Sequence, residues 1–285
     1  MRPLLTGELM GGLGNQLFQI ATAYAYARKY DMELIFPENW NTAAERPPIW
    51  RTYFYKSESP FQLMPREQFQ HTNWYRISES GFAYRPLASP PKGFPFYKLF
   101  GYFQSSLYFA EYADEIRNLF EPSSDVKKKA RAALQELGIT DTSGWIAAHV
   151  RRGDYLNAAD YHVVTTPAYF KGARDEIEST LGGKRGVVWI TEDVDWVYKT
   201  CFREGDKVIH NDSITDFVTL SLFQHIIMSN SSFSWWAVWL NSGKHTNRQI
   251  CCPSHWFGPR GPKDTETIYE EGWKRIDPAS GNVVR

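Results

Sequence analysis

The chain has few cysteines, no long apolar run and no net charge, and each absence excludes a class of protein. Only 3 residues are cysteine, two of them adjacent at Cys251 and Cys252, so neither a disulfide framework nor a zinc site is expected. A reducing compartment follows, and we expect a cytoplasmic protein. No run of about 18 apolar residues occurs, and the N-terminus lacks the apolar core of a signal peptide, so no membrane-spanning helix is predicted.

The balance of charge excludes a large electrostatic surface. Basic and acidic residues number 32 each, so no overall field favours nucleic acid or an anionic membrane, and any anion site must be local. Aromatic residues, in contrast, make up 16% of the chain and include 11 tryptophans. These rings have two interpretations, because aromatics dominate sugar- and base-binding surfaces as well as ordinary cores.

Strand and helix patterns alternate through much of the chain. Leu9-Met10, a glycine turn and an amphipathic helix open it, and Glu33 to Phe36 supply a second strand, so a βαβ unit is predicted. From about residue 39 to 108, prolines and aromatics indicate loops or short elements. The second half predicts a parallel sheet covered on both faces. Its predicted strands are 145–150, 187–191, 207–210 and 249–252, and its predicted helices are 124–137, 166–181, 195–202, 215–228 and 234–240. We therefore expect an α/β fold with two Rossmann-like domains facing across a cleft.

Polar stretches follow apolar segments of the second half at four places. They are Arg151–Asp154, Glu192-Asp193, Asn211-Asp212 and Ser229–Ser234. Ligands of open parallel sheets gather at the carboxyl ends of the strands, so we expect one site there. The planar fork of Arg151 suits phosphate oxygens, and Ser231 and Ser232 at a helix N-terminus suit the same anion. A diphosphate is the ligand that such groups would hold.

Each of these groups also has a structural interpretation. The Arg151-Arg152 pair could form ion pairs with Asp154 or Glu192, and the serine stretch could simply cap its helix. Because side chains alternate along a strand, His149 and Arg151 share one side, and Arg152 on the other side can tie the loop down.

Two further motifs are weaker. The glycine turn from Gly12 to Leu17 is similar to a dinucleotide fingerprint but has Leu17 in place of the third glycine. It either brings backbone close to a ligand, with Asn15 projecting into the cleft, or is a turn that Asn15 caps. Asp193-Val194-Asp195 could hold a divalent cation, or Asp195 could cap the next helix.

Four segments together resemble the bacterial α-1,2-fucosyltransferases of glycosyltransferase family eleven. They are Gly11–Gln19, Gly101–Ser105, His149–Tyr155 and Ser229–Trp236. The resemblance implies a GT-B fold, with an acceptor-side domain at residues 1–130 and a GDP-sugar-binding domain at residues 131–285. It implies an inverting transfer of L-fucose from GDP-fucose to the 2-hydroxyl of a terminal galactose or related sugar. No metal and no cofactor besides this donor substrate are implied.

The resemblance also assigns residues to the donor. Arg151 would bind the β-phosphate and stabilise departing GDP, and His149 would approach guanine or ribose. The phosphate and base pocket would be lined by Ser231, Ser232 and Phe233. Asp216 matches a guanine-reading aspartate of wider relatives, although Ser213 to Asp216 also fits a capping box.

Near the reacting sugar, the resemblance assigns Asn15, together with Gly12 and Gly14 of the same turn, to the fucose and the leaving phosphate. Asp154 is either the general base or a brace for the arginines. Gly101–Ser105 would form a wall on the acceptor side.

The implied partners are GDP-fucose and a galactose-containing oligosaccharide, without nucleic acid. Peripheral membrane association is expected if the acceptor is lipid-linked. Two other classes compete with this hypothesis. A nicotinamide-dependent oxidoreductase is disfavoured by the broken third glycine, and a non-catalytic carbohydrate-binding protein leaves the clustered arginines and serines unexplained.

Overall fold

The computed structural model describes residues 2–38, 61–242 and 247–284. The chain divides into two compact units. Unit 1 is Met1–Ser123 with Asp264–Tyr269, and unit 2 is Ser124–Lys263 with Glu270–Arg285. The boundary predicted at residue 130 falls inside a helix, Ser124–Glu136, that opens unit 2. The assignment of the two domains to acceptor and donor sides remains a prediction.

Unit 1 contains a sheet with strand order β3-β2-β1-β5-β4 in its described part, and each neighbouring pair is parallel. The strands are β1 Leu4–Gly7, β2 Glu33–Pro37, β3 Gln62–Met64, β4 Tyr75–Ser78 and β5 Phe96–Phe100. The α-helices are α1 Leu13–Lys29, α2 Arg66–His71 and α3 Ala113–Leu119.

The predicted βαβ opening is confirmed as β1, α1 and β2, although the first strand is Leu4–Gly7 and not Leu9-Met10. The last residue of this strand, Gly7, lies close to α1, since a Cβ there would be 3.3 Å from the Gln19 carbonyl oxygen. The Met10 N–H is then bonded to the Gln19 side chain at 2.8 Å and not to a strand.

The irregular middle predicted from the prolines contains regular structure in its described part. Strands β4 and β5 lie there, and β5 pairs with the central strand β1. The prolines in this region indicated loops and so obscured the strands. Pro95 directly precedes β5, and its carbonyl accepts the Leu4 N–H at 2.9 Å, so it aligns β5 with β1 although it has no N–H to donate. The predictions for residues 39–60 lie outside the described residues.

Unit 2 is built on a sheet with strand order β12-β11-β10-β9-β6-β7-β8, parallel except at the β11·β12 edge. The strands are β6 Trp145–Val150, β7 Gly186–Thr191, β8 Lys207–Ile209, β9 His225–Ile227, β10 Gln249–Pro253, β11 Lys274–Ile276 and β12 Val283–Val284. The helices are α4 Ser124–Glu136, α5 Gly153–Leu156, α6 Pro167–Leu181, α7 Val194–Thr200, α8 Ser213–Ser221 and α9 Ser232–Leu240.

Most second-half elements are confirmed, but the predicted helix over 215–228 is wrong in its second half. Helix α8 ends at Ser221, and β9 follows it. All three residues of β9 are buried between β6 and β10. Its sequence therefore lacks the alternation of apolar and polar residues that would distinguish a strand from a helix. The correction matters because β9 brings Ser229 to the end of a strand beside β6.

The tryptophans of α9 belong to the core. Trp235 and Trp236 are fully buried, and Trp239 is nearly so. Trp235 packs edge-on against Trp273 with ring centroids 6.0 Å apart. The packing interpretation is therefore correct for these rings.

A buried ion pair ties α6 to the amino-terminal edge of the unit 2 sheet. The Asp206 carboxylate accepts two hydrogen bonds from the Arg174 guanidinium, each 3.0 Å long. It also accepts the Val187 N–H, the Trp189 indole N–H and the Arg203 N–H, each at 3.0 Å. Five donors thus meet one carboxylate, a degree of satisfaction that a buried charge requires.

Candidate functional site

The polar stretches predicted to follow strands do lie along one edge of the unit 2 sheet. Strands β9, β6, β7 and β8 are neighbours in this order and run parallel. Their carboxyl ends therefore face the same edge, and the four stretches beyond them form one row. The sheet order could not be read from the local patterns, and it is what makes these stretches adjacent.

Arg151 is held between two carboxylates at this edge. Its Nη2 donates to Asp154 at 2.6 Å and its Nη1 to Glu192 at 3.2 Å. Both predicted ion-pair partners are therefore in contact with Arg151. The guanidinium carries five N–H donors, so two such bonds leave donors available for an anion, and the planar group is fixed in orientation.

Arg152 contacts a different set of side chains from Arg151. Its Nε donates to Asp193 at 3.0 Å, and its guanidinium lies 4.1 Å from the centre of the Trp196 ring. Asp193 also accepts the Trp196 N–H as the N-cap of α7. The expectation that Asp195 caps this helix is therefore wrong; Asp193 is the cap and the partner of Arg152.

Tyr155 connects Arg151 to the serine loop. The Arg151 guanidinium lies 5.5 Å from the centre of its ring, and its hydroxyl donates to the Asn230 carbonyl at 3.2 Å. The ring stacks on His162 at 4.1 Å, with an interplanar angle of 9°. The sequence pattern gives Tyr155 no role of its own, and His162 could not be predicted because it lies in an irregular loop without a pattern.

His149 is buried beneath this edge. Its Nδ1 lies 2.8 Å from the Ser229 hydroxyl, and its ring stacks on Phe233 with centroids 4.9 Å apart. Burial, and then the charge of Arg151, lowers the pKa of His149 to about 3. The imidazole is therefore neutral at physiological pH, which suits contact with a base or ribose and excludes a charge-based role with phosphate.

We expect His149 to make the protein less stable in acid. The unfolded imidazole has its ordinary pKa of 6.5, whereas the folded one has a pKa of about 3. Between these values the unfolded chain binds one more proton, so the free energy of unfolding falls as pH decreases, by about 1.4 kcal/mol per pH unit for this group. His149→Gln should flatten this slope in denaturant unfolding at pH 7.0, 6.0 and 5.0. An unchanged slope would contradict the buried neutral imidazole.

The serine loop is organised by its own hydrogen bonds. Ser231 is the N-cap of α9 and accepts the Phe233 N–H at 3.3 Å. The Ser234 hydroxyl donates to the Ser229 carbonyl at 3.0 Å. The capping interpretation is thus correct for Ser231, and Ser232 begins the helix. The same geometry directs N–H groups of α9 toward the edge, as an anion site at a helix N-terminus requires.

Asp216 is occupied by a neighbouring loop residue. Both of its oxygens accept the Asn211 backbone N–H at 3.1 Å, and Oδ1 also accepts the Asn211 side-chain amide at 3.1 Å. Burial raises the pKa of Asp216, and the bonds from Asn211 oppose that rise. The predicted capping box is wrong, because Asp212 is the N-cap of α8 and accepts the Ile214 and Thr215 N–H groups. The donor-binding role of Asp216 stays a prediction.

In unit 1, the glycine turn leads into α1 as predicted. Gly11 has φ 73°, and a Cβ there would overlap the Asn15 side chain. Gly12 is the N-cap, without any side-chain bond, and buried Gly14 follows in the first turn. The alternative that Asn15 caps the helix is therefore wrong. The Asn15 amide oxygen instead accepts a hydrogen bond from Gln104 at 2.8 Å.

The described residues contain no group of three metal-ligating side chains, and no described helix is long and apolar enough to cross a membrane. All three cysteines are free thiols.

Comparison with known sequences identifies the family. The model of glycosyl transferase family 11 matches residues 3–277. The chain belongs to glycosyl transferase family 11. The resemblance drawn from four motifs is confirmed, and the expectation of a glycosyltransferase is confirmed with it.

Relatives in family 11 are distant but cover most of the chain. The O-antigen biosynthesis glycosyltransferase WbnK of Escherichia coli is 25% identical, over 87% of this chain and 93% of its own length. The α-1,2-colitosyltransferase of Escherichia coli is 23% identical, over 96% and 99%. Galactoside α-(1,2)-fucosyltransferase 2 of Oryctolagus cuniculus is 25% identical, over 84% and 67%. The names of two of these relatives contain the predicted α-1,2 linkage, one with colitose and one with fucose as the transferred sugar.

Solved structures confirm the fold expected for family 11. Fucosyltransferase NodZ from Bradyrhizobium matches with a TM-score of 0.55 at 11% identity, over 84% of this chain and 93% of that one. NodZ α-1,6-fucosyltransferase co-crystallised with GDP matches with a TM-score of 0.53 at 12% identity, over 84% and 92%. The chain therefore has the predicted GT-B type of fold, with a Rossmann-like sheet in each unit.

Proposed function

We propose that this family 11 enzyme is an inverting α-1,2-fucosyltransferase. It transfers L-fucose from GDP-fucose to the 2-hydroxyl of a terminal galactose, or a related sugar, on an oligosaccharide. The names of the relatives support the linkage and the galactoside acceptor. A NodZ structure soaked with GDP-fucose supports the fold as a carrier of this donor.

The observation that carries the proposal is the row of groups at the unit 2 sheet edge. Arg151, fixed by two carboxylates, is joined through Tyr155 to the N-terminus of α9. A guanidinium fork and helix N–H groups are donors for phosphate oxygens. We assign Arg151, Ser231 and Ser232 to the GDP diphosphate.

The stacked rings beside the phosphate groups suit the nucleoside. We assign His149 and Phe233 to the guanine or ribose, because a neutral imidazole stacked on a phenyl ring forms an uncharged aromatic surface. Asp216 remains the candidate for reading guanine, and it would have to bind the base while it holds Asn211. In unit 1, Asn15 is assigned to the fucose and the leaving phosphate, with Gly12 and Gly14 allowing close approach of backbone.

The reaction is a direct displacement at the anomeric carbon. The acceptor hydroxyl oxygen forms a bond to that carbon while the bond to the GDP oxygen breaks and the hydroxyl proton is released to solvent, which turns a β-linked donor into an α-linked product. Negative charge grows on the diphosphate, so a preorganised Arg151 stabilises the transition state more than the ground state.

Asp154 is proposed to orient Arg151 and not to remove the acceptor proton. Its Oδ1 already accepts a hydrogen bond from the guanidinium at 2.6 Å, so this oxygen is engaged in holding Arg151. Asp154→Asn retains an oxygen acceptor, so we expect a loss in kcat below about tenfold and an unchanged pH profile. A general base would instead lose about 10²-fold or more, together with the acidic limb of the profile, and that result would reverse the assignment.

Location and acceptor context are part of the proposal. Free thiols at all three cysteines support a reducing, cytoplasmic compartment. The relative named for O-antigen biosynthesis supports a glycan acceptor of bacterial origin. If that acceptor is carried on a lipid, the enzyme associates with the membrane surface peripherally.

The test is incubation with GDP-fucose and lactose, with and without EDTA, followed by linkage analysis of the product. We expect an α-1,2-fucosylated galactose and the same rate in EDTA. GDP-mannose serves as a donor control, and NAD in a thermal-shift assay tests the oxidoreductase class. Absence of transfer combined with stabilisation by lactose alone would favour a non-catalytic carbohydrate-binding protein.

A further inference from the structure

A hydrogen bond between two side-chain amides links Asn15 to a turn far away in the sequence. Gln104 Nε2 donates to Asn15 Oδ1 at 2.8 Å, and Gln104 is 8% exposed. The Asn15 amide nitrogen lies against Gly11, where a Cβ would overlap it. The bond therefore fixes which end of the Asn15 amide faces Gln104 and which lies along the glycine turn.

The turn that carries Gln104 has an unfavourable backbone. Phe103 has φ 53°, a left-handed conformation that a bulky side chain disfavours, and its ring is fully buried. Such a conformation persists only where the surroundings impose it, and it is concentrated at functional sites. Ser105 closes the turn by donating its N–H to the Phe103 carbonyl at 2.8 Å.

Glu79 imposes this conformation. One of its carboxylate oxygens accepts the Tyr102 N–H at 2.8 Å, and both accept the Phe103 N–H at 3.0 Å. Its own N–H donates to the Phe100 carbonyl, so the residue is anchored at the end of β4. Gly101 has no space for a Cβ, because the Glu79 side chain occupies it. This explains the glycine that opens the Gly101–Ser105 motif.

We propose that Glu79 and Gln104 are positioning residues for the transfer reaction. Glu79 holds the left-handed turn, the turn presents Gln104, and Gln104 orients the amide of Asn15. The inference rests on the proposed function, in which Asn15 contacts the fucose and the leaving phosphate. The segment Gly101–Ser105 then acts on GDP-fucose through Asn15. The family resemblance had instead assigned this segment to a wall on the acceptor side.

A double-mutant cycle on kcat/KM for the donor tests this chain of contacts. Gln104→Met keeps the side-chain volume and removes the N–H group that bonds to Asn15. We expect kcat/KM to fall by about tenfold or more, because small displacements of a positioned group are costly. In the Asn15→Ala background the same change should cost less than about twofold, since residues that act through one another are not additive. Glu79→Gln should behave in the same way.

Equal losses in both backgrounds would overturn the proposal, because they would mean that Gln104 acts independently of Asn15. Full activity of Gln104→Met would overturn it as well. Gln104→Asn keeps the amide but shortens its reach by one methylene group. We therefore expect it to lose kcat/KM as Gln104→Met does. Thermal unfolding of every variant separates positioning from loss of fold.

A measurement in the absence of GDP-fucose separates this proposal from the proposed function. The side-chain amide signal of Asn15, assigned by its absence in Asn15→Ala, should shift in nitrogen-15 spectra of Gln104→Met and Glu79→Gln. An unmoved signal overturns the positioning roles whatever the donor is. Failure of the wild-type chain to use GDP-fucose, with the signal shifted as expected, overturns the proposed function alone.

Discussion

Arg151→Lys should lose about 10²-fold or more in kcat, because a single ammonium cannot replace a guanidinium held between two carboxylates and aimed at a diphosphate. The bonds to Asp154 and Glu192 come from two different nitrogens of one planar group. Lysine offers one nitrogen, so it would satisfy the carboxylates or the phosphate but would not fix a geometry for both. The loss should appear mainly in kcat, since the charge on the diphosphate grows during bond cleavage.

Arg203→Lys is the matched control for this prediction. Arg203 also lies between two carboxylates of unit 2, Asp175 and Glu178, at 3.4 and 3.8 Å. It has no part in the proposed site, so its conversion to lysine should leave kcat within about twofold, as expected of an exposed ion pair. The measurement is steady-state transfer from GDP-fucose, with GDP affinity determined by calorimetry. Near-wild-type turnover of Arg151→Lys would count decisively against phosphate stabilisation by this residue.

Asp206→Ala should destabilise unit 2 by about 3–5 kcal/mol, the range found when one partner of a buried ion pair is removed. Arg174 would keep its bond to Glu178 but lose both bonds to Asp206 while its side chain is only 6% exposed. The Trp189 indole and two backbone N–H groups would lose their acceptor as well. Urea unfolding followed by circular dichroism measures the loss.

Asp175→Asn is the control for charge removal, because Asp175 lies on α6, the helix that carries Arg174. Asp175 is 45% exposed and pairs with Lys171 and Arg203 at the surface, so the change should cost no more than about 1 kcal/mol. Because Asp206 lies at the amino-terminal edge of the sheet, opposite the candidate site, the folded fraction of Asp206→Ala should retain its kcat. A loss below about 1 kcal/mol for Asp206→Ala would contradict the importance of this buried pair.

Local patterns predicted most elements of unit 2 because helices and strands there end at strong signals. Thr166 caps α6 and Gly182 ends it in a left-handed conformation, as the cap, the first-turn proline and the glycine pair indicate. The pattern failed at two short strands for different reasons. Strand β9 has three buried residues and no readable period, whereas β5 directly follows a proline-rich stretch that indicates loop.

The candidate site was predicted only in part, because only some of its residues give a strong local signal. Arg151 and the serine stretch stand out because polar groups interrupt apolar sequence. Glu79 and His162 have no such signal, since their importance comes from contacts with Phe103 and Tyr155 that the chain makes only when folded. The wrong caps, Asp195 and Ser213, each lie within two residues of the aspartate that takes the role, because several neighbouring residues satisfy the same capping rule.

The sequence by itself determined the family, the alternation of strands and helices, and the groups that end the strands, since these depend on neighbours along the chain. The tertiary structure alone decided which of those groups meet. Arg151 contacts Glu192, and Arg152 contacts Asp193, because β6 and β7 are adjacent, and the order of strands in a sheet is set by packing of the whole unit. For the same reason only the folded chain brings Gln104 to Asn15: their hydrogen bond requires β5 to lie beside β1, and no local pattern encodes that pairing.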